Sequence, residues 1–461
     1  MKEKQPITGH LINPISMKHF LVISLALIFS QLGYSQSKLT RVDIGATSEP
    51  ANSEVNLTLE ARNQHYNQNP TNAKDVFEKS INSPKSAVFT PDQKKLYVHS
   101  LEGYSTTVYD GTTWKKQKVI THKFGKHNDS LFKNSEYTVF DYKYRKKDGK
   151  GNQEAKERVN HNEFSGKPVE SCLSHNGKYL WVTYYRRSYD KNAESPSAVA
   201  IIDTELDEIV RVMPTGPLPK MIACSPNNKY IAVTHWGDNT VGIIDIQSDN
   251  VMEFKYIKHC IVDYRAKLDF NSTEVVNRDN SCGNCLRGTL FTPDGNFLIV
   301  GKMGGSGGLM IFDTRDFSSL GTVKGLKRNV RHLIINKEDL YVSTNSSGYV
   351  QKCNWKDLTK FRIENEGSSV IFSEWKNVYV GIGARTISVS DDGKYVYVAI
   401  SNECKIKVIR TSDMSVVATI DADSYPVGMA LSPDQKHLVV TSQGKKSSGG
   451  NSVMIFEITL K

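Results

Sequence analysis

A phrase of about twelve residues recurs seven times along the chain, and its last copy runs from Met429 to Val440. Earlier copies span Ala87–Val98, Ser171–Val182, Ile222–Val233, Thr289–Val300, a shortened one at Leu333–Val342, and Thr386–Val398. Each consists of an apolar strand, a turn rich in Pro, Asp, Asn and Gly, and a second apolar strand. A unit this short cannot bury its own faces, so its repetition implies stacking around a shared core. A third strand ending in an acidic or polar turn follows, as in Ile201–Thr204, Ile243–Ile246 and Ile311–Thr314, and a fourth often follows that, as in Ser415–Ile420.

The expected fold is therefore all-β: a seven-bladed β-propeller with four-stranded antiparallel blades. The repetition overrides the two or three domains that 461 residues would otherwise suggest. The seventh unit stops after its third strand, leaving an open edge that a protein must cover. Leu39–Gly45 or Glu54–Leu59 is expected to supply that strand and close the ring.

The best copies, Asp391–Val398 and Ser432–Asp434, resemble the YVTN-type repeat of secreted bacterial propellers, and the likeness covers roughly residues 86–461. That resemblance implies the fold and leaves chemistry open, because propellers host many functions. Within the group, phosphogluconolactonase-like propellers imply a hydrolase and electron-transfer dehydrogenase subunits imply a redox partner. No catalytic signature of either stands out.

The amino terminus carries a targeting pattern. Met17-Lys-His is followed by the apolar run Phe20–Phe29 and by Gly33-Tyr-Ser35, which reads as a secretory signal over residues 1–35, with Met17 as a possible start. The run is too short for a stable bilayer anchor. Residues 36–461 are then expected to be one exported propeller, secreted, periplasmic or in the cell envelope, with no transmembrane anchor after cleavage. The excess of ten positive charges favours anionic partners. No nucleic-acid motif or long basic run accompanies it, so nucleic acid is not expected as the partner.

Used as a ruler, the repeat exposes four insertions, at about 121–169, 184–197, 256–286 and 361–384. All four are assigned to connections that emerge on one face of the ring, where loops on a rigid scaffold tend to carry binding. Five residues before the Ser or Thr that opens each turn stand Lys85, Val169, Lys220, Arg287, Arg385 and Val427, with Arg331 at the matching place in the shortened unit. Five of seven units thus put a cation where the channel-lining strand begins. Like charges gathered at a constriction are costly unless an anion, or an acidic side chain from a neighbouring loop, neutralises them, and arginine suits forked contacts to carboxylate or phosphate. His99 and Lys302, at the ends of second strands, join Lys85, Lys220, Arg287, Arg331 and Arg385 as expected ligand-binding residues.

Three functions follow from these patterns. The first is an exported, non-enzymatic module binding an anionic small molecule or another envelope protein on the decorated face, with no cofactor. The second is a lactonase-like hydrolase in which the arginines steady an oxyanion and His235 or His332 acts as base, kept neutral by nearby cations. The third is a partner subunit of an envelope redox enzyme. Cys282-Gly-Asn-Cys285 lacks the histidine at 286 that covalent haem attachment needs. With His259 and Cys260 the pair could hold zinc, but in an exported chain a disulfide within the insertion, from Cys260 to Cys282 or Cys285, is the expected state, and a redox-active Cys282–Cys285 pair is the third reading.

Overall fold

A computed structural model describes residues 41–133, 140–147, 150, 153–266, 276–444 and 450–461. Residues 1–35, where the secretory signal is read, lie outside them. Seven antiparallel sheets follow one another along the chain, and each begins with a channel-lining strand. Those inner strands are Pro84–Phe89, Glu163–Ser174, Pro219–Cys224, Leu286–Phe291, Val330–Asn336, Ala384–Val389 and Pro426–Leu431, in blades one to seven. Neighbouring inner strands pack side by side, and the last packs against the first. The chain is a seven-bladed β-propeller.

The turn residues of the repeat explain why each phrase folds as a hairpin. Hydroxyls of Thr90, Thr292, Ser390 and Ser432 donate to the carboxylates of Asp92, Asp294, Asp392 and Asp434, two residues on, at 2.5–2.7 Å. Each carboxylate also accepts the backbone N–H two residues beyond it. The residue after the Asp takes a left-handed φ, 60° at Gln93 and 74° at Gly295, which reverses the chain.

Apolar side chains of the strands gather into seven clusters, one at each junction between adjacent blades. A blade of alternating residues is covered on both faces only when the ring is complete, which is why the core is a set of wedges rather than one ball.

Closure comes from the second of the two expected segments. Val55–Gln64 pairs antiparallel with Ser452–Leu460 and serves as the fourth strand of blade seven. Its Val55, Leu57 and Leu59 are fully buried against blades six and seven. Asp75–Phe77 adds a fifth strand, parallel to it. Within Leu39–Gly45, by contrast, residues 41–45 form no strand. Gly45 has φ 93° and takes part in a turn that brings Ala46 and Ser48 onto the closing strand.

Three insertions emerge on the face where the inner strands begin. The first carries the hairpin of Asp141–Lys147 with Gln153–Asn160, and blade two's inner strand reaches back to Glu163 to pair with Lys123–Gly125. The second is a shorter loop between the strands Tyr179–Arg187 and Ser197–Asp203. The third starts later than expected, because Lys255–Ile261 is itself the fourth strand of blade three.

The fourth insertion overturns the expectation of a single decorated face. Blade five has its fourth strand at Lys376–Tyr379, paired with Tyr349–Asn354. The extra chain therefore lies between the third and fourth strands, at the opposite end of the ring. Asn354 caps the helix Trp355–Glu364 by accepting from Lys356 and Asp357 N–H groups. Trp355 and Leu358 fill the wedge between blades four and five with Phe372 and Trp375, and the Trp355 indole donates to Lys337 O in the first turn of blade five. Four consecutive residues, Lys376–Tyr379, are too few to announce a strand from sequence.

Candidate functional site

The five aligned cations are the second residues of their inner strands: Lys85, Lys220, Arg287, Arg331 and Arg385. At this point every inner strand is irregular in its register against the second strand, between Pro84 and Ala87 in blade one and between Leu286 and Thr289 in blade four. The same break occurs in the other five. A bulge frees a residue from the ladder and re-aims its side chain. Here it turns one position per blade into the bore.

The cations feel one another. Burial and then the charges of Arg385, Arg331 and Arg287 hold the Lys85 ammonium well below its ordinary pKa. Burial, followed by Arg287 and Lys85, does the same to Lys220. Arg287 is pushed down to about 10 by burial and Arg385, and Arg331 is lowered by burial, Arg287 and Arg385. Among the described residues the ring holds two carboxylates. Asp279, from the third insertion, meets Lys220 at 3.2 Å. Burial pushes Asp279 up to about 6 and Lys220 down, so both partners of that contact move toward their neutral forms. Glu170 is the second carboxylate, on the bulge of blade two beside Val169. Burial raises its pKa, while Lys85 and the three arginines pull the other way.

The arginines are thinly satisfied. Arg385 donates to the Tyr425 hydroxyl at 3.1 Å and Arg331 to the Met303 sulfur at 3.6 Å. Among the described residues none of the three has a carboxylate within ion-pair distance, and Nε of Arg287 and of Arg385 is buried with no hydrogen-bond partner. Aromatic faces support the ring from the insertion side. Lys220 lies 3.8 Å from the Tyr185 ring centre and 5.0 Å from that of Trp236, and Arg287 lies 4.9 Å from Trp236. Trp236 is held by its indole N–H to Asp279 O at 3.1 Å. Cation–π contacts of this kind are worth about 0.5–2 kcal/mol each, which steadies the cations without neutralising them.

Other expected site residues lie elsewhere. His99 is fully buried inside blade one, with Nδ1 against Thr106 Oγ1 at 2.8 Å, and Thr106 in turn meets His122. A side chain of a second strand points into a blade-to-blade wedge, not into the bore. Lys302 is also buried, held by Asp263 at 2.8 Å and Thr322 at 2.9 Å.

His235 is a strut rather than a base. Gly216 N–H donates to its Nε2 at 3.1 Å, which places the proton on Nδ1. Nδ1 then donates to Thr240 Oγ1 at 2.8 Å, and that hydroxyl to Asp238 at 2.7 Å. Burial depresses its pKa to about 4. His332 is different, since it follows Arg331 on the inner strand. Burial and Arg331 lower it to about 4, and its Nδ1 is buried without a partner.

The cysteine loop also departs from expectation. Cys282 and Cys285 are bonded to each other, and Cys260 is a free, buried thiol whose Sγ donates to Phe317 O. Cys260 belongs to the fourth strand of blade three, so its side chain is fixed in the wedge with blade four. His259 stacks on Tyr256 and His235. With both thiols of the pair oxidised, the set His259, Cys260, Cys282 and Cys285 cannot ligate zinc.

Sequence reasoning missed Glu170, Asp279, Tyr185 and Tyr425. Glu170 left a trace: its column otherwise reads Ser86, Met221, Gly288, His332, Thr386 and Gly428.

No family model matches the chain. Antigen Lp49 of Leptospira interrogans serogroup Icterohaemorrhagiae serovar copenhageni is 24% identical over 202 residues, an alignment covering 39% of this chain and 40% of that protein. Among solved structures, Kuenenia stuttgartiensis hydrazine synthase is similar with a TM-score of 0.55 and 13% identity over 85% of this chain and 100% of that one. The Myceliophteria thermophila Cps50 (Swd1) β-propeller domain gives 0.53 and 12% over 82% and 98%. A chain of the mitotic checkpoint complex gives 0.52 and 12% over 85% and 99%. These likenesses show the fold, a common protein-binding scaffold. Among the described residues no helix is long and apolar enough to cross a membrane.

Proposed function

We propose that this propeller is an exported binding module that captures an anionic group, from a small molecule or from a partner protein, in the ring of cations at the channel mouth. The observation that carries the reading is the convergence of Arg287, Arg331 and Arg385 with, among the described residues, no carboxylate in ion-pair reach and with two buried Nε donors unmet. Leaving such donors unsatisfied costs about 1–3 kcal/mol each, and an entering carboxylate or phosphate removes that cost while relieving repulsion among the cations. Export rests on the signal pattern of residues 1–35, and the similarity to an antigen is in keeping with it.

Thermal-shift and calorimetric titration with inorganic phosphate, sulfate, acetate and succinate test the reading. At least one of these anions raises the melting temperature of the mature protein, and Arg287→Ala/Arg331→Ala/Arg385→Ala abolishes the shift. Equal shifts in wild type and triple variant, or none with any anion, would overturn it.

The lysines add a pH signature. Lys85 and Lys220 have depressed pKa values in the free ring, and a bound anion stabilises their charged forms. Binding therefore takes up protons, and affinity falls as pH rises through the depressed lysine range. Calorimetry in buffers of different ionisation enthalpy reads this proton uptake directly. Release of protons on binding is the contrary result.

The hydrolase reading keeps one base candidate, His332, whose Nδ1 is unpartnered beside Arg331. Release of acid from simple lactones, lost in His332→Ala and retained in His235→Ala, is the outcome it requires.

A further inference from the structure

The ring is not uniformly cationic, and its asymmetry says what kind of anion it suits. Arg287, Arg331 and Arg385 belong to blades four, five and six, an unbroken arc of the bore. Blades two and seven bring valines, Val169 and Val427, to the aligned position. Blade two brings instead, one residue later on the same bulge, the carboxylate of Glu170. In a ring of seven, blade two stands across the bore from blades five and six. Glu170 thus faces the arginine arc across the bore.

Glu170 does not serve as a close partner for any cation. Among the described residues it has no ion pair, although Lys85, Arg287, Arg331 and Arg385 all act on it through space. A carboxylate offered across a bore from three arginines is an acceptor for a hydrogen-bond donor that arrives with the anion. Resting on the anion-binding reading, we infer that the ligand is bifunctional: a short organic acid whose acidic group docks on Arg287, Arg331 and Arg385 and whose hydroxyl or ammonium group reaches Glu170. Purely anionic ligands such as dicarboxylates meet repulsion at Glu170, which gives the site a means of rejecting them.

The test uses three series of C2–C6 monocarboxylates whose far end is a methyl, a hydroxyl or an ammonium group, with inorganic phosphate as the control anion. At the best chain length a hydroxyl or ammonium acid binds the wild-type protein about tenfold more tightly than its methyl counterpart, the usual scale for a charge-assisted hydrogen bond. In Glu170→Leu the ratio collapses to about one. Glu170→Gln separates the two ligand classes: it keeps a preference for the hydroxyl acid but loses one for the ammonium acid. Should all three series bind alike in the wild type, or keep their ratios in Glu170→Leu, Glu170 is only an internal counterion and the inference is overturned. In that event phosphate still binds and the anion reading stands. Failure of phosphate together with every acid overturns the anion reading itself.

Discussion

Replacing Arg62 with alanine lowers the unfolding free energy by about 3–5 kcal/mol, the range for removing one partner of a buried ion pair. Arg62 lies on the strand that closes the ring and is only 6% exposed. Its Nη2 meets Asp75 at 2.5 Å and its Nη1 meets Asp423 at 3.2 Å, while Nη1 also donates to Val42 O. Asp75 starts the fifth strand of blade seven, and Asp423 sits on the link from blade six into blade seven. One guanidinium therefore ties the amino-terminal strand to both ends of the last blade. Burial alone would lower the Arg62 pKa, but Asp75 and Asp423 outweigh it and raise it. Alanine would leave two buried carboxylates without a countercharge. Urea unfolding measures the loss, and Arg62→Ala combined with Asp75→Asn should recover part of it. A change under about 1 kcal/mol would mean that closure does not depend on this network.

Lys85→Met should act in the opposite direction and stabilise the ligand-free protein, by about 1–2 kcal/mol. Three charges that repel the Lys85 ammonium, those of Arg385, Arg331 and Arg287, each outrank the attraction of Glu170. Unit charges about 8 Å apart at an effective dielectric of about 20 repel by about 2 kcal/mol, and methionine keeps the apolar stem while removing the charge. The pH dependence carries the sign. A lysine whose folded pKa lies below its unfolded value holds fewer protons when folded. Its destabilising effect is therefore complete below the depressed pKa and fades as pH rises toward the ordinary lysine range. The gap in stability between variant and wild type should accordingly be widest on the acid side of the depressed Lys85 pKa and close in alkali. The same substitution should weaken anion binding about tenfold, since the charge that costs stability is the one the anion uses. Lower stability of Lys85→Met at neutral pH would show that the ring is already neutralised.

How much of this was legible in the chain differs from element to element. The Thr90–Asp92 turn and its copies are local, so their residues announce the hairpin and the repeat announces the ring. The column of Lys85, Lys220, Arg287, Arg331 and Arg385 was readable because repetition makes equivalent places countable. His99, His235 and Lys302 were misplaced because the ends of second strands look alike in sequence, whether a side chain enters a wedge or the bore. The 361–384 insertion reads from sequence as lying on the wrong face because the fourth strand of blade five is four residues long and lies behind a helix.

The sequence by itself determined the number of blades, the order of the first three strands within them and the position of the cations along each inner strand. These follow from period-two burial and turn chemistry, which act over a few residues. Only the tertiary structure decided that Val55–Gln64 closes the ring, that Cys260 stays apart from Cys282 and Cys285, and that Glu170 and Asp279 share the bore with the cations. Such relations depend on which blades and insertions meet across the ring, and a charge or thiol carries no mark of a neighbour a hundred residues away.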